Sequence, residues 1–148
     1  MMKSTVSQEW HGEEVKIRAK KVTGKSIFEI GLVVEGKAKE LSPVDTGRLK
    51  GSITTAGFHE RTTAQDPATW QDSIDPPNIE NEVLVGTAVA YGPHMEFGTI
   101  KTDAQPFLRP ALDLAKGKVL TVVQRNAKMH FGEYLLEHDA YLKSRGIA

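Results

Sequence analysis

Histidines and acidic residues are the side chains best suited to chemistry in this chain, and their spacing matches no catalytic pattern. His94 and Glu96 form half of a zinc-deaminase signature, whose other half is Pro-Cys-X-X-Cys. The chain has no cysteine, which excludes that chemistry. The remaining candidates for metal ligands fit no closed or catalytic zinc spacing; they are His59, His94, His130, His138, Glu133 and Glu137. Surface histidines are therefore favoured, with a small metal-dependent hydrolase as a lesser alternative.

Nucleophile and phosphate motifs are also missing from the sequence. No serine lies in a Gly-X-Ser-X-Gly elbow. The run Gly24-Lys25-Ser26 matches only the end of a phosphate-binding loop and lacks its upstream glycine. We therefore predict that the protein is not an enzyme and has no catalytic residues, metal site or cofactor.

Length and charge favour one neutral domain. The 148 residues carry 19 Lys and Arg against 19 Asp and Glu, so no overall field attracts nucleic acid or a membrane. We predict a single domain over residues 1–148, no membrane partner, and a reducing cytoplasm as the place of assembly. Basic residues on two predicted helices could make nonspecific contact with DNA, and this alternative stays open. The favoured interpretation is that they form solvated helix faces. They are Lys16, Arg18, Lys20, Lys21, Lys25, Lys116, Lys118, Arg125 and Lys128.

The apolar pattern predicts an α+β fold, with a long N-terminal helix and a C-terminal helix packed on a small, mainly antiparallel sheet. The apolar spacing from Glu13 to Leu41 predicts a long first helix of about 27 residues within that range, with a break or bend near Gly24. Strands are expected over 52–58 and 82–89. A long acidic loop over 60–82, mobile in the isolated subunit, connects them.

The second helix is predicted to begin near Leu108, anchored by Phe107, Leu108 and Leu112. Its apolar stripe contains Leu108, Leu112, Ala115, Val119, Val122 and Met129. Residues 1–12 and 130–148 are expected to be flexible or interface arms.

Two phrases, over residues 42–53 and 85–112, are dominated by turn formers, caps and apolar anchors. Asp45 is interpreted as an Asx-type turn that holds Thr46 and Gly47, with an ion pair to Arg48 or Arg109 as the alternative. Gly98 suits a left-handed helix cap. Glu96 is either solvated or paired with Arg48, Arg109 or Lys101 of a neighbouring subunit.

The phrases resemble the head–tail joining or tail-completion (neck) proteins of long-tailed bacteriophages. The resemblance covers Ser-Pro-Val-Asp-Thr-Gly-Arg-Leu at 42–49, Ser52-Ile53, Val85-Gly86-Thr87, Tyr91, Glu96-Phe97-Gly98-Thr99 and Pro-Phe-Leu-Arg-Pro-Ala at 106–111. Gly92-Pro93 departs from the pattern, which has an alanine and a less rigid residue there. The structural or interface residues are Asp45, Thr46, Gly47, Arg48, Glu96, Phe97, Gly98, Thr99, Pro106, Phe107 and Arg109.

The resemblance implies a nonenzymatic virion subunit of the neck, assembled in the host cytoplasm. Its partners would be other copies of itself in a ring, the head connector proteins, and the tail terminator or tail tube proteins. A tail-terminator-like subunit that caps the tube is the alternative. We also expect Glu96 and Arg109 to set the angle between neighbouring subunits.

Overall fold

The computed structural model describes residues 12–45, 47–63 and 74–144, the last range without the side chains of 133–139, 141 and 142. Its helices and strands, in chain order, are α1 (Gly12–Leu41), α2 (Arg48–Ser52), β1 (Thr54–Gly57), β2 (Val83–Gly86), α3 (Gly92–Phe97), α4 (Leu108–Lys116) and α5 (Val119–Ser144). The predicted α+β fold is confirmed. No helix in the described ranges is both long and apolar enough to cross a membrane.

Helix α1 is uninterrupted over its 30 residues, which excludes the break that was one of the two alternatives predicted near Gly24. The helix ends where predicted: Pro43 disfavours helical geometry at Ser42, and the Ser42 hydroxyl donates to the carbonyl of Lys39. Gly31 lies against the sheet, because a Cβ there would come within 2.7 Å of both Thr55 and Val83. Glycine thus allows α1 to approach the strands closely.

Strands β1 and β2 pair antiparallel, with Thr54 opposite Gly86 and Gly57 opposite Val83. Both are shorter than predicted. The first begins late because α2, which the sequence analysis missed, occupies residues 48–52, and it ends where the Gly57 N–H donates to the Glu60 carbonyl, 2.7 Å away. Residues 64–73 of the acidic loop, and with them the expectation of mobility, lie outside the described residues.

The second predicted helix is two helices, α4 and α5, which are separated at Gly117 and Lys118. Leu112, predicted as a core anchor, is 50% exposed. The buried face of α4 is formed by Ala111 and Ala115, one turn apart, and Leu112 is rotated about 100° away from Ala111. The main core cluster consists of Val34, Ala38, Leu49, Ile53, Phe107, Ala111 and Ala115.

The structure describes most of the predicted C-terminal arm but almost none of the predicted N-terminal arm. Helix α5 continues from residue 130 to Ser144, so most of the C-terminal arm is helical. Residues 1–11 and 145–148 lie outside the described residues.

Candidate functional site

Glu96 caps helix α4 from a distance. Its buried carboxylate accepts the backbone N–H groups of Phe107 (2.7 Å), Leu108 (2.9 Å) and Arg109 (3.1 Å). The first N–H groups of a helix have no partner within the helix and need an acceptor. Helix α4 therefore begins where the side chain of a residue on α3 accepts its N–H groups.

Pro110 completes this cap. It occupies the third position of α4, where it has no N–H to satisfy and its fixed φ suits the first turn. The next donor, Ala111 N–H, reaches the Phe107 carbonyl at 3.3 Å. The early proline thus carries no hydrogen-bond penalty, and every N–H from Phe107 to Ala111 has a partner.

Arg109 holds the capping carboxylate from the other side. Its Nε donates to Glu96 Oε1 at 3.0 Å and its Nη2 to the Glu96 carbonyl at 2.9 Å. The guanidinium also lies 4.9 Å from the centre of the Phe97 ring, a cation–π contact. Glu96 and Arg109 are therefore paired within one chain, whereas the sequence analysis placed such a pair between subunits.

Two opposed effects act on the pKa of Glu96. Burial alone would raise it, but hydrogen bonds from the backbone N–H groups of Phe107 and Leu108, together with Arg109, outweigh burial and lower the pKa below its usual value. The carboxylate stays ionised and acts only as an acceptor. It is therefore unsuited to act as a general acid.

The loop between α3 and α4 is tightly closed at its base. Gly98 has φ of 77°, and a Cβ there would lie 2.8 Å from the Ala104 nitrogen, so glycine is required. Beyond it, Thr99 N–H donates to the Thr102 carbonyl at 2.8 Å, and Thr99 Oγ1 accepts the Lys101 N–H. We call residues 99–102, which carry Ile100 and Lys101 at their apex, the tip.

The first phrase forms a turn that leads into α2. Gly47 precedes that helix with φ of 78°, a conformation that suits glycine, and its carbonyl accepts the Gly51 N–H at 2.9 Å. Asp45 is exposed and makes no hydrogen bond or ion pair with another described residue, so neither the Asx-type turn nor the pairing with Arg48 or Arg109 is found there. Thr46 lies outside the described residues.

The two phrases meet in one place. Ser52 and Thr87 share a hydroxyl hydrogen bond of 2.6 Å, and Leu49, Ile53 and Phe107 pack in the same buried cluster. Gly92 is explained by this packing, because a Cβ there would lie 2.8 Å from Thr87. We call this region, made of α2, α3, the loop 98–107 and the start of α4, the motif corner.

An open groove of about 320 Å³ lies on the surface of the motif corner. Both phrases line it: Val44 and Leu49 come from the first, Tyr91 and Met95 from the second, and Asp45 stands beside them. Val44 and Tyr91 are exposed. The groove is thus mostly apolar, and it carries one carboxylate that has no ion pair with another described residue, a composition suited to binding protein side chains.

A second polar cluster, between α1 and α5, was missed by the sequence analysis. Asn126 is fully buried and donates to Ser26 Oγ at 3.2 Å and to Glu29 Oε2 at 2.9 Å. Arg125 also donates to Glu29 Oε2, at 2.6 Å. Burial would raise the pKa of Glu29, but the bonds from Asn126 and Arg125 outweigh it and lower the pKa. The sequence held one signal of this cluster, because Asn126 follows Val122 by four residues and therefore lies on the apolar face of its helix.

The structure offers little support for the two alternatives, a metal-dependent hydrolase and a DNA-binding module. Among the described residues, no group of three or more His, Asp or Glu side chains could hold a metal ion. Several of the basic residues considered for DNA contact are already paired with acids: Lys16 with Glu13, Lys20 with Glu80, Lys116 with Asp113, and Arg125 with Glu29.

Comparison of the chain with protein-family models, with curated proteins and with solved structures finds no match in any of the three. The function must therefore be argued from the phrases and the geometry of the motif corner.

Proposed function

We propose that this chain is a structural subunit of the neck of a long-tailed bacteriophage, and that it joins the head connector to the tail through contacts between proteins. The proposal rests on the order of the two phrases in the sequence, which resembles that of head–tail joining and tail-completion proteins. Its partners would be other copies of itself in a ring, the head connector, and the tail terminator or tail tube proteins. A subunit that caps the tail tube is the alternative place in the particle.

One observation carries the proposal beyond the resemblance. The residues of the phrases that could do chemistry are used to build the corner: Glu96 caps α4, Arg109 holds Glu96, and Ser52 bonds to Thr87. What the corner offers to another molecule is an apolar groove and an exposed tip. A rigid surface of this kind suits binding to proteins better than catalysis.

Neither an enzymatic activity nor a cofactor is part of the proposal. In a hydrolase, a carboxylate in the position of Glu96 would have to face a substrate or metal, whereas this one faces three backbone N–H groups of its own chain. Elemental analysis of the purified protein tests the metal-dependent alternative. Salt-steep binding of duplex DNA by the isolated protein would favour the nucleic-acid alternative.

The decisive experiment uses a phage that encodes this chain. With the gene deleted, we expect DNA-filled heads and complete tails that remain separate, and we expect the purified protein to restore joining when it is added to the mixture. Electron microscopy of the protein with tail-less heads alone, and with free tails alone, distinguishes a neck position from a tail cap. Infectious, fully joined particles without the gene product would overturn the proposal.

A further inference from the structure

The tip presents an isoleucine that none of the described residues covers. Ile100 has a relative exposure of 107%, so its side chain lies wholly in solvent. The turn that carries it is fixed by the two bonds between Thr99 and Thr102, and by Gly98 against Ala104 at its base. A rigid loop loses little conformational entropy when it binds. The tip therefore has the features of an anchor for another molecule.

The groove provides a matching receptor. Its volume of about 320 Å³ compares with about 30 Å³ for each water molecule in the liquid, which leaves ample room for the four carbons of an isoleucine side chain. Val44, Tyr91 and Met95 offer it apolar contacts. The site is half-open, so a projecting loop can enter it from outside.

One charged residue beside each surface is complementary to one beside the other. Lys101, next to Ile100 on the tip, has no ion pair among the described residues, and neither has Asp45 at the edge of the groove. Elsewhere many exposed charges are paired, as in Lys16 with Glu13 and Lys116 with Asp113. A cation beside an apolar anchor and an anion beside an apolar groove define both a partner and an orientation.

We propose that the tip of one copy of this chain docks into the groove of a second copy, with Ile100 among Val44, Tyr91 and Met95 and with Lys101 paired to Asp45. The tip and the groove are different surfaces, so the contact is heterologous, and such contacts close into rings when the rotation allows. The inference rests on the proposed function, because it names the contact from which the proposed ring would be built. Glu96 and Arg109 support the tip from within the chain, and Asp45 and Lys101 make the contact between chains.

The test measures self-association of the whole chain by sedimentation velocity over a wide concentration range at low salt. We expect Ile100→Ser to weaken association at least tenfold. Asp45→Lys and Lys101→Asp should each weaken it, and the double variant should recover most of the loss. Ile79→Ser is the matched control, because Ile79 is 66% exposed and lies outside both tip and groove. Equal melting midpoints for all variants show that folding is unchanged.

A mixing experiment tests the direction of the contact. Ile100→Ser leaves an intact groove, and Asp45→Lys leaves an intact tip, so a mixture of the two should form one-to-one complexes and no larger species. A wild-type chain that stays monomeric at all concentrations, or an Ile100→Ser variant that associates like the wild type, overturns the inference.

The two proposals fail separately. Joining of heads to tails by a protein that does not self-associate through the tip would leave the neck function standing and remove the docking contact. Self-association through the tip without any joining activity would do the reverse.

Discussion

The cap of α4 in the motif corner and the contacts of α1 are held together over very different distances in the sequence. In the corner, Glu96 reaches backbone groups 11 to 13 residues away. The seam that α1 makes with the sheet and with α5, here called the α1 seam, depends on pairs such as Ser26 with Asn126, which are 100 residues apart. The cap of α4 is thus specified by a short phrase, whereas the α1 seam, like the Ser52–Thr87 bond that joins the two phrases, exists only once distant segments have come together.

The largest expected effect tests whether the motif corner is the stability centre, which here means the part of the structure whose packing contributes most to the free energy of unfolding. Phe107 is fully buried in the core cluster, so Phe107→Ala should lower the free energy of unfolding by about 3–5 kcal/mol. Chemical denaturation measures it. Leu112→Ala, at a half-exposed position on the adjoining helix α4, is the control and should cost much less. A loss below about 1 kcal/mol for Phe107→Ala would mean that the corner is not the centre.

The second prediction tests the cap. Glu96→Gln keeps the shape of the side chain but turns one acceptor into a donor that faces backbone N–H groups, so we expect a loss of about 2–4 kcal/mol. Glu80→Gln is the control, since that exposed carboxylate lies 3.8 Å from Lys20 and its loss should cost at most about 1 kcal/mol. Equal small losses in both variants would contradict the cap.

The same variant, Glu96→Gln, isolates the contribution of Glu96 to the pH dependence of the stability. The folded-state pKa of Glu96 lies below the ordinary value of 4.5, so its contribution is complete above that pH and is lost as the pH falls through the lowered pKa. Unfolding curves from pH 6 down to about pH 3 should therefore fall more steeply for the wild type than for Glu96→Gln. Glu29, whose pKa is also lowered, is present in both proteins and does not contribute to the difference.

The third prediction concerns close packing in the α1 seam. A Cβ at Gly31 would approach Thr55 and Val83 to 2.7 Å, whereas one at Gly36 would meet nothing within 4 Å. Gly31→Ala should destabilise by about 1–3 kcal/mol through overpacking, and Gly36→Ala should stabilise by about 0.5–1 kcal/mol through helix propensity. Thermal melts of the pair check the contrast, and a stabilising Gly31→Ala would show that the seam is loosely packed.

The smallest effect is expected for the polar part of the seam. Asn126 Oδ1 is buried and has no partner among the described residues, which offsets part of what its two donated bonds contribute. Asn126→Leu, which keeps the branched shape and the number of side-chain heavy atoms, should change the stability by less than about 1 kcal/mol, while Asn126→Ala leaves a cavity and should cost more. If leucine costs as much as alanine, the polar cluster is essential to the seam.

The difference between short-range and long-range contacts explains which structural features could be predicted from the sequence. The end of α1 at Ser42 and the burial of Phe107 depend on local chemistry and were predicted. Gly98 has a positive φ of 77°, but its ψ of 178° lies outside the left-handed helical region, so the left-handed cap predicted there is wrong. The cap by Glu96 was missed because nothing in the local pattern shows that a carboxylate on one helix faces the N-terminus of the next. Leu112 was misplaced because the predicted stripe ran through Leu108 and Leu112 to Ala115, whereas the buried face of α4 is formed by Ala111 and Ala115, of which only Ala115 belonged to that stripe.

The closed base of the loop between α3 and α4 has a practical consequence. Because Gly98 packs on Ala104 and the Gln105 N–H bonds to the Met95 carbonyl at 2.8 Å, the chain is already fixed before it reaches the apex. Lengthening a loop costs only about 0.6 kcal/mol for each doubling. A short epitope inserted between Ile100 and Lys101 should therefore leave the isolated chain folded while it disrupts docking by the tip, and antibody binding to the purified protein would measure how accessible this loop is.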